Sequence, residues 1–78
     1  MNIPRGITAR DLTRALESDG FILNRTAGSH HIYTHRDGRV VPVAYTRQSD
    51  TFPIGTLRSM IRLARWTEAD LRRLHLTR

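Results

Sequence analysis

Two short glycine-containing turns divide the middle of the chain into three strands. Ala27-Gly28 ends the first run of β-type residues, and Asp37-Gly38 is a strong hairpin signal. The predicted strands cover residues 21–26, 30–35 (beginning at 29 or 30) and 40–45. Turns this short join antiparallel neighbours, so we expect a three-stranded antiparallel meander. Pro42 in the third strand indicates an edge position or a bulge, because proline has no N–H to donate.

Helices are predicted on both sides of the meander. Thr8 is typical of a helix N-cap, and Asp11 follows at the spacing of a capping box, which places the first helix at residues 8–19. After the meander, apolar residues recur at helical spacing, at Ile54, Leu57, Met60, Ile61 and Ala64. Thr67 and Asp70 repeat the capping spacing and predict a short last helix.

The order α-β-β-β-α, followed by an extra short helix, resembles that of double-stranded-RNA-binding domains. We therefore predict the α+β class, with a three-stranded antiparallel sheet covered on one face by the first two helices and open on the other. A chain of 78 residues is predicted to form a single domain, residues 1–78.

Composition excludes several classes of protein. The chain has no cysteine, so disulfides, thiolate metal sites and cysteine nucleophiles are excluded. No apolar run approaches the roughly 20 residues of a membrane-spanning helix, and residues 1–10 contain no signal-like apolar stretch. We expect a soluble, cytoplasmic protein that does not contact a membrane.

The charge of the chain favours a polyanionic partner. Thirteen basic residues, all of them arginine, exceed seven acidic ones and give a formal net charge of +6. Arginine presents a planar fork of donors that matches phosphate, and a basic surface accelerates encounter with a polyanion. Codon use in a GC-rich genome would also favour arginine over lysine, but it does not explain the excess charge. Nucleic acid is the favoured partner, and an acidic protein is the alternative.

Several runs of residues resemble the HicA toxin family, in its order and at about its spacing. The runs are Asp19-Gly20-Phe21, Arg25-Thr26-Ala27-Gly28-Ser29-His30-His31-Ile32-Tyr33-Thr34-His35, Asp37-Gly38-Arg39 and Pro53-Ile54-Gly55-Thr56-Leu57-Arg58-Ser59-Met60-Ile61. The resemblance implies an mRNA interferase that needs no metal or other cofactor and is silenced by a HicB-like antitoxin. It also implies that His30 is the catalytic histidine.

The chain departs from the family pattern in three places. A second histidine, which the family often has at the end of the third strand, is absent from Val41-Pro42-Val43-Ala44-Tyr45-Thr46. The loop at residues 46–52 is slightly longer than usual. The usual Ala-Gly-Leu after the second helix is replaced by Ala64-Arg65-Trp66.

The first hairpin carries the residue types that RNA cleavage requires. Attack of a 2′-hydroxyl on the adjacent phosphate needs proton transfer, which suits histidine, and stabilisation of negative charge, which suits arginine. We take His30 as the catalytic candidate. The RNA-binding candidates are Arg25, Gly28, Ser29, His31 and Arg39, while His35 is expected to be solvated.

Strand alternation decides which histidine can reach RNA. His30, Ile32 and Thr34 share one face of the second strand, and the other face carries His31, Tyr33 and His35. We favour Tyr33 pointing inward because it has more surface to bury, which leaves His30 on the open face. If Ile32 points inward instead, His30 is partly covered.

Other groups have competing interpretations. His31 is either structural or a substrate contact, and Arg25 and Arg39 could be merely solvated. Arg58, Arg62 and Arg65 form a basic stripe that is a solvated helix face, a phosphate track or a docking face for an acidic antitoxin. Trp66 most simply packs the last helix onto the body, and stacking on a base is the alternative.

A metal site is disfavoured, because His31 and His35 lie roughly 13 Å apart along the strand and His30 faces away from both. A serine nucleophile is disfavoured, because Ser29 and His30 point apart and no carboxylate is placed to orient a triad.

Three hypotheses about function follow. The leading one is an endoribonuclease toxin that uses His30. The second is a non-catalytic RNA-binding module of the same fold, and the third is an interaction subunit that mainly holds a protein partner.

Overall fold

The structure is a computed structural model that describes residues 1–77. Its elements are α1 (Ala9–Ser18), β1 (Ile22–Ala27), β2 (His30–Thr34), β3 (Val40–Ala44), α2 (Ile54–Ala64) and α3 (Glu68–Arg73). This order confirms the predicted α+β class of double-stranded-RNA-binding-domain type. Within the part of the chain described, no helix has the length and apolar character needed to cross a membrane.

Capping boxes start α1 and α3, as the sequence predicts. Thr8 Oγ1 accepts a hydrogen bond from the Asp11 N–H at 3.1 Å, and Asp11 Oδ2 accepts from the Thr8 N–H at 3.2 Å. Thr67 and Asp70 make the same reciprocal pair, at 3.2 and 2.8 Å. Each box satisfies backbone donors that the first helical turn leaves without intrahelical partners.

All three helices end in the same way, with a residue in the left-handed backbone region. This residue is Gly20 after α1 (φ 99°), Arg65 after α2 (φ 59°) and His75 after α3 (φ 62°). Its N–H and the next N–H bond back to helix carbonyls in the pattern of a Schellman motif. The residue that follows is apolar and buried in each case: Phe21, Trp66 and Leu76. The three helix ends therefore also contribute side chains to the core.

The sheet is an antiparallel meander in the order β1-β2-β3. Ala27 pairs with His30, so the first turn consists of Gly28 and Ser29 and lies one residue later than predicted. Glycine with φ 60° at the first loop position fits a type II′ turn. The second hairpin closes around Gly38 (φ 98°), as predicted. Pro42 lies in edge strand β3, which confirms the prediction of an edge position.

The core lies between the helices and one face of the sheet. Tyr33, Val41 and Val43 of the sheet are buried, with 0–4% of their surface exposed. They belong to one cluster with apolar residues of all three helices, including Leu12, Leu16, Leu57, Met60, Ile61 and Leu71. The inward orientation predicted for Tyr33 is confirmed. The opposite face of the sheet carries His30 and has no helix over it.

Candidate nucleic-acid interface

His30 is the first residue of the central strand and is exposed to solvent. Its partners across the sheet are Ala27 on β1 and Ala44 on β3. Directly paired residues share a face of the sheet, so the imidazole is flanked by two methyl side chains. The orientation expected for His30 is therefore confirmed, and these small neighbours leave room for a ligand on the open face.

A β-bulge brings Arg25 onto the same face as His30. Leu23 pairs with Tyr33, but the next pair is Arg25 with Ile32, which leaves Asn24 as the extra residue. Without the bulge, regular alternation would place Arg25 opposite His31 on the covered face. Arg25 is two residues from Ala27, which makes it a diagonal neighbour of His30 at a Cα separation of roughly 7–8 Å. The sequence analysis did not predict this bulge.

The first turn lies directly beside His30. Gly28 and Ser29 are both exposed, and no atom lies within 4 Å of the position that a Cβ on Gly28 would occupy. The Ser29 carbonyl accepts a hydrogen bond of 3.0 Å from the Tyr45 N–H, which holds the turn against the end of β3. The backbone at Gly28 can therefore be approached closely by a phosphate.

His31 lies on the covered face and has a structural environment. Its ring stacks on Tyr45 with centroids 3.9 Å apart and an interplanar angle of 10°. Its Nδ1 lies 3.2 Å from the Val43 carbonyl oxygen, which requires this nitrogen to carry the proton for a hydrogen bond to form. Of the two alternatives for His31, the structure favours the structural one, because the ring does not share a face with His30.

Arg39 and His35 lie at the other end of the sheet from His30. β2 runs from His30 to Thr34, and Thr34 pairs with Val40, so roughly 13 Å of strand separates His30 from this end. The Arg39 guanidinium donates to the Asp19 carboxylate at 3.1 Å and to the Ala64 carbonyl. The structure therefore does not bring Arg39 to the His30 site, and its donors already hold the fold together.

The expectation that His35 is solvated is wrong. Its side chain is only 16% exposed. Nε2 lies 3.0 Å from the Asp19 carbonyl oxygen, and Nδ1 accepts a hydrogen bond of 3.1 Å from the Asp37 N–H. The ring also packs edge-on against Phe21, with centroids 5.1 Å apart. His35 therefore fastens the second hairpin to the end of α1.

Asp19 is the centre of a hydrogen-bond network that the sequence analysis missed. Its carboxylate accepts from the Trp66 indole at 2.9 Å, from Arg39 at 3.1 Å and from Arg73 at 3.0 Å. Burial alone raises the pKa of Asp19, but the hydrogen bonds from Trp66, Arg73 and Arg39 outweigh it and lower the pKa below its ordinary value. The packing role predicted for Trp66 is confirmed, since its side chain is buried.

The loop after β3 is folded against the start of α1. The backbone N–H groups of Ala9 and Arg10 donate to the carbonyls of Asp50 and Gln48, at 2.7 and 3.0 Å. The Asp50 carboxylate accepts hydrogen bonds from the backbone N–H groups of Arg47 and Thr46. These bonds lower the pKa of Asp50, and the bond from Arg47 has the larger effect. This loop thus supplies backbone acceptors to the start of α1.

Metal-binding residues do not cluster in the described chain. Among residues 1–77, no group of three or more histidine, cysteine, aspartate or glutamate side chains is placed to hold a metal ion. What the open face offers is one imidazole, one guanidinium and a glycine turn. Such a surface can bind a phosphodiester and transfer a proton to or from a neighbouring ribose oxygen.

Comparison with known proteins identifies a matching family model. A family model described as "HicA toxin of bacterial toxin-antitoxin" matches residues 9–66, which extend from the start of α1 to Trp66 and cover more than half of the chain. No curated protein matches.

Proposed function

The chain belongs to the HicA toxin family, so it is a toxin of a toxin–antitoxin system, and we propose that it acts as an endoribonuclease that cleaves mRNA with His30. The observation that carries this proposal is the exposed imidazole of His30 on the open sheet face, with Arg25 as its diagonal neighbour.

The proposed reaction is attack of a ribose 2′-hydroxyl on the adjacent phosphate. The bond from O2′ to phosphorus forms as the bond from phosphorus to O5′ breaks, leaving a 2′,3′-cyclic phosphate and a 5′-hydroxyl. His30 takes the proton from the 2′-hydroxyl as general base or gives one to the departing 5′-oxygen as general acid, and solvent water takes part in the other proton transfer. Neither role requires a metal ion or another cofactor.

Arg25 and the first turn are proposed to hold the phosphate. The Arg25 guanidinium takes part in none of the ion pairs found among residues 1–77, so its charge is available to a phosphate oxygen. Gly28 and Ser29 present open backbone next to His30. His31 supports this arrangement from the covered face through its contact with Tyr45.

A HicB-like antitoxin is the proposed inhibitor, and the cytoplasm is the proposed compartment. An antitoxin that covers the open face would exclude RNA from His30 without altering the fold. The exposed apolar side chains of Ile22 and Val40, at the other end of this face, give such a protein surface to bury.

The test is cleavage of an mRNA fragment in the presence of EDTA. We expect the wild-type protein to produce new ends with cyclic phosphates, and His30→Ala to reduce the rate by about 10²–10⁴-fold. His75→Asn is the matched control, because His75 is exposed just after α3 and asparagine tolerates its left-handed backbone. Circular dichroism checks that each variant is folded.

Two outcomes would count against the proposal. Equal cleavage by folded His30→Ala would remove the catalytic assignment. Intact RNA that binds the wild-type protein with strong salt dependence would instead favour the non-catalytic RNA-binding module.

A further inference from the structure

An open cavity of about 600 Å³ lies on the helical side of the molecule, away from His30. Met1 and Ile3 supply accessible apolar surface to its walls, which the largely buried Ile61 and Trp66 also line. The N-terminal segment that supplies Ile3 is held in place by a hydrogen bond of 3.1 Å from the Asn2 N–H to Glu68 of α3. The cavity has the size of a ligand-binding pocket, although nothing in the proposed RNA chemistry uses it.

Arginine side chains line the same cavity. Arg58 and Arg62 project from α2, and Arg65 follows its last turn. All three are exposed, and none takes part in the ion pairs found among residues 1–77. Their spacing along the helix covers roughly 10 Å, which is too long for one carboxylate and suits a segment that carries several.

The combination of apolar walls and a rim of arginines favours a peptide ligand over RNA in this cavity. RNA would satisfy the arginines, but its bases would find no exposed aromatic face, because Trp66 is only 4% exposed. A peptide with apolar side chains between acidic ones matches both parts, since the apolar groups enter the cavity and the carboxylates pair with the guanidinium groups.

We propose that this cavity is a docking site for an acidic, apolar-anchored segment of a protein partner. The helices and the open sheet face lie on opposite sides of the sheet, so a segment bound here leaves His30 accessible. The site therefore anchors a partner without itself blocking the open face. A partner that also reaches that face gains affinity from the two linked contacts. The proposal stands whether or not His30 is catalytic.

The test uses Trp66, the only tryptophan of the chain, as its reporter. A short peptide with a central leucine pair flanked by glutamates is titrated into the full chain while tryptophan fluorescence is recorded. We expect a saturable change and at least about tenfold weaker binding by the Arg58→Glu and Arg62→Glu variants. Arg36→Glu is the matched control, because Arg36 is exposed in the second hairpin, and it should bind almost as wild type does.

Further variants and a second peptide test the two parts of the proposal separately. His30→Ala should bind the peptide as wild type does, which separates this proposal from the proposed cleavage. A peptide with serines in place of the leucines should bind at least about tenfold more weakly. Four results would overturn the proposal. Two concern the peptides: no saturable change with the leucine peptide, or equally tight binding of the serine peptide. The others are unaltered peptide binding by both glutamate variants and tighter binding of an oligoribonucleotide in the cavity. Thermal unfolding establishes that the variants are folded.

Discussion

The indole N–H of Trp66 donates a hydrogen bond of 2.9 Å to Oδ2 of Asp19, a residue 47 positions earlier in the chain. This bond joins the end of α2 to the end of α1. Because Arg39 and Arg73 donate to the same carboxylate, the sheet hairpin and α3 are fastened at the same point. One carboxylate thus connects elements that no short segment of sequence brings together.

Replacing Asp19 with asparagine should destabilise the fold and change its response to acid. Its pKa is lowered in the folded state from an ordinary 3.8. The ionised Asp19 carboxylate therefore stabilises the folded state fully above about pH 4. This stabilisation is lost as the pH falls through the lower pKa that the group has in the folded state. We expect Asp19→Asn to lower the free energy of unfolding by about 2 kcal/mol at pH 7. The difference in this free energy between wild type and variant should decrease as the pH falls below 3.8, the ordinary pKa of the group.

Urea unfolding at pH 7 and at acid pH measures this difference. Glu17→Gln is the control, because Glu17 lies exposed on the same helix and takes part in none of the ion pairs of residues 1–77. If Asp19→Asn lowers the free energy of unfolding equally at both pH values, the charge of the carboxylate is not the cause of the destabilisation.

Arg25→Ala should slow RNA cleavage by about 10²-fold, because it removes the guanidinium that the bulge at Asn24 directs to the His30 face. Arg25→Lys should retain more activity, since it keeps the charge. RNA binding should also depend less on salt: the slope of log K for binding against the logarithm of the salt concentration should become shallower by roughly 0.7. Arg36→Ala controls for net charge. If both alanine variants lose activity equally, the loss reflects overall charge and not position.

Arg65→Gly should stabilise the protein by about 0.5–1 kcal/mol. Arg65 has φ 59°, a left-handed conformation that glycine adopts without the penalty of a Cβ. Thermal unfolding should show a higher midpoint for this variant. Arg65→Ala removes the same side chain but keeps the backbone penalty, so it should show no such gain. Equal midpoints for the two variants would assign the effect to the side chain.

Gly20→Ala should destabilise the protein by roughly 2–3 kcal/mol. Gly20 has φ 99°, and a Cβ there would lie 2.9 Å from Nε2 of His35, which would disturb its contact with Asp19. Gly55→Ala is the matched control, because no atom lies within 4 Å of its Cβ position and it lies inside α2. This control should be neutral or slightly stabilising. Comparable destabilisation of both variants in urea would contradict the proposed cause.

Local signals in the sequence predicted the elements of the fold well. The capping pairs beginning at Thr8 and Thr67 are confirmed because each acts over three residues of chain. The orientation of β2 is confirmed because burial of Tyr33 decides it. The resemblance to the HicA family led us to expect glycine where the chain has Arg65. The left-handed backbone of Arg65 shows that α2 has the ending that glycine favours.

Features set by distant contacts were not predicted. His35 and Arg39 were placed in solvent or against RNA because their partner, Asp19, lies far away in the sequence. The bulge at Asn24 was missed because the register shift is a property of the pairing between β1 and β2 and not of either strand alone. Its effect matters for the candidate site, since it decides the face on which Arg25 lies.

Pro42 has a consequence for assembly of the protein with itself. The backbone bonds from Tyr45 to Ser29 and from His35 to Arg39 set the alternation along β3, which turns the nitrogen of Pro42 toward the free edge. An added strand would find a donor missing there, and at the other edge it would meet the irregular backbone of β1. Both borders of the sheet therefore disfavour the strand addition through which copies of a protein polymerise.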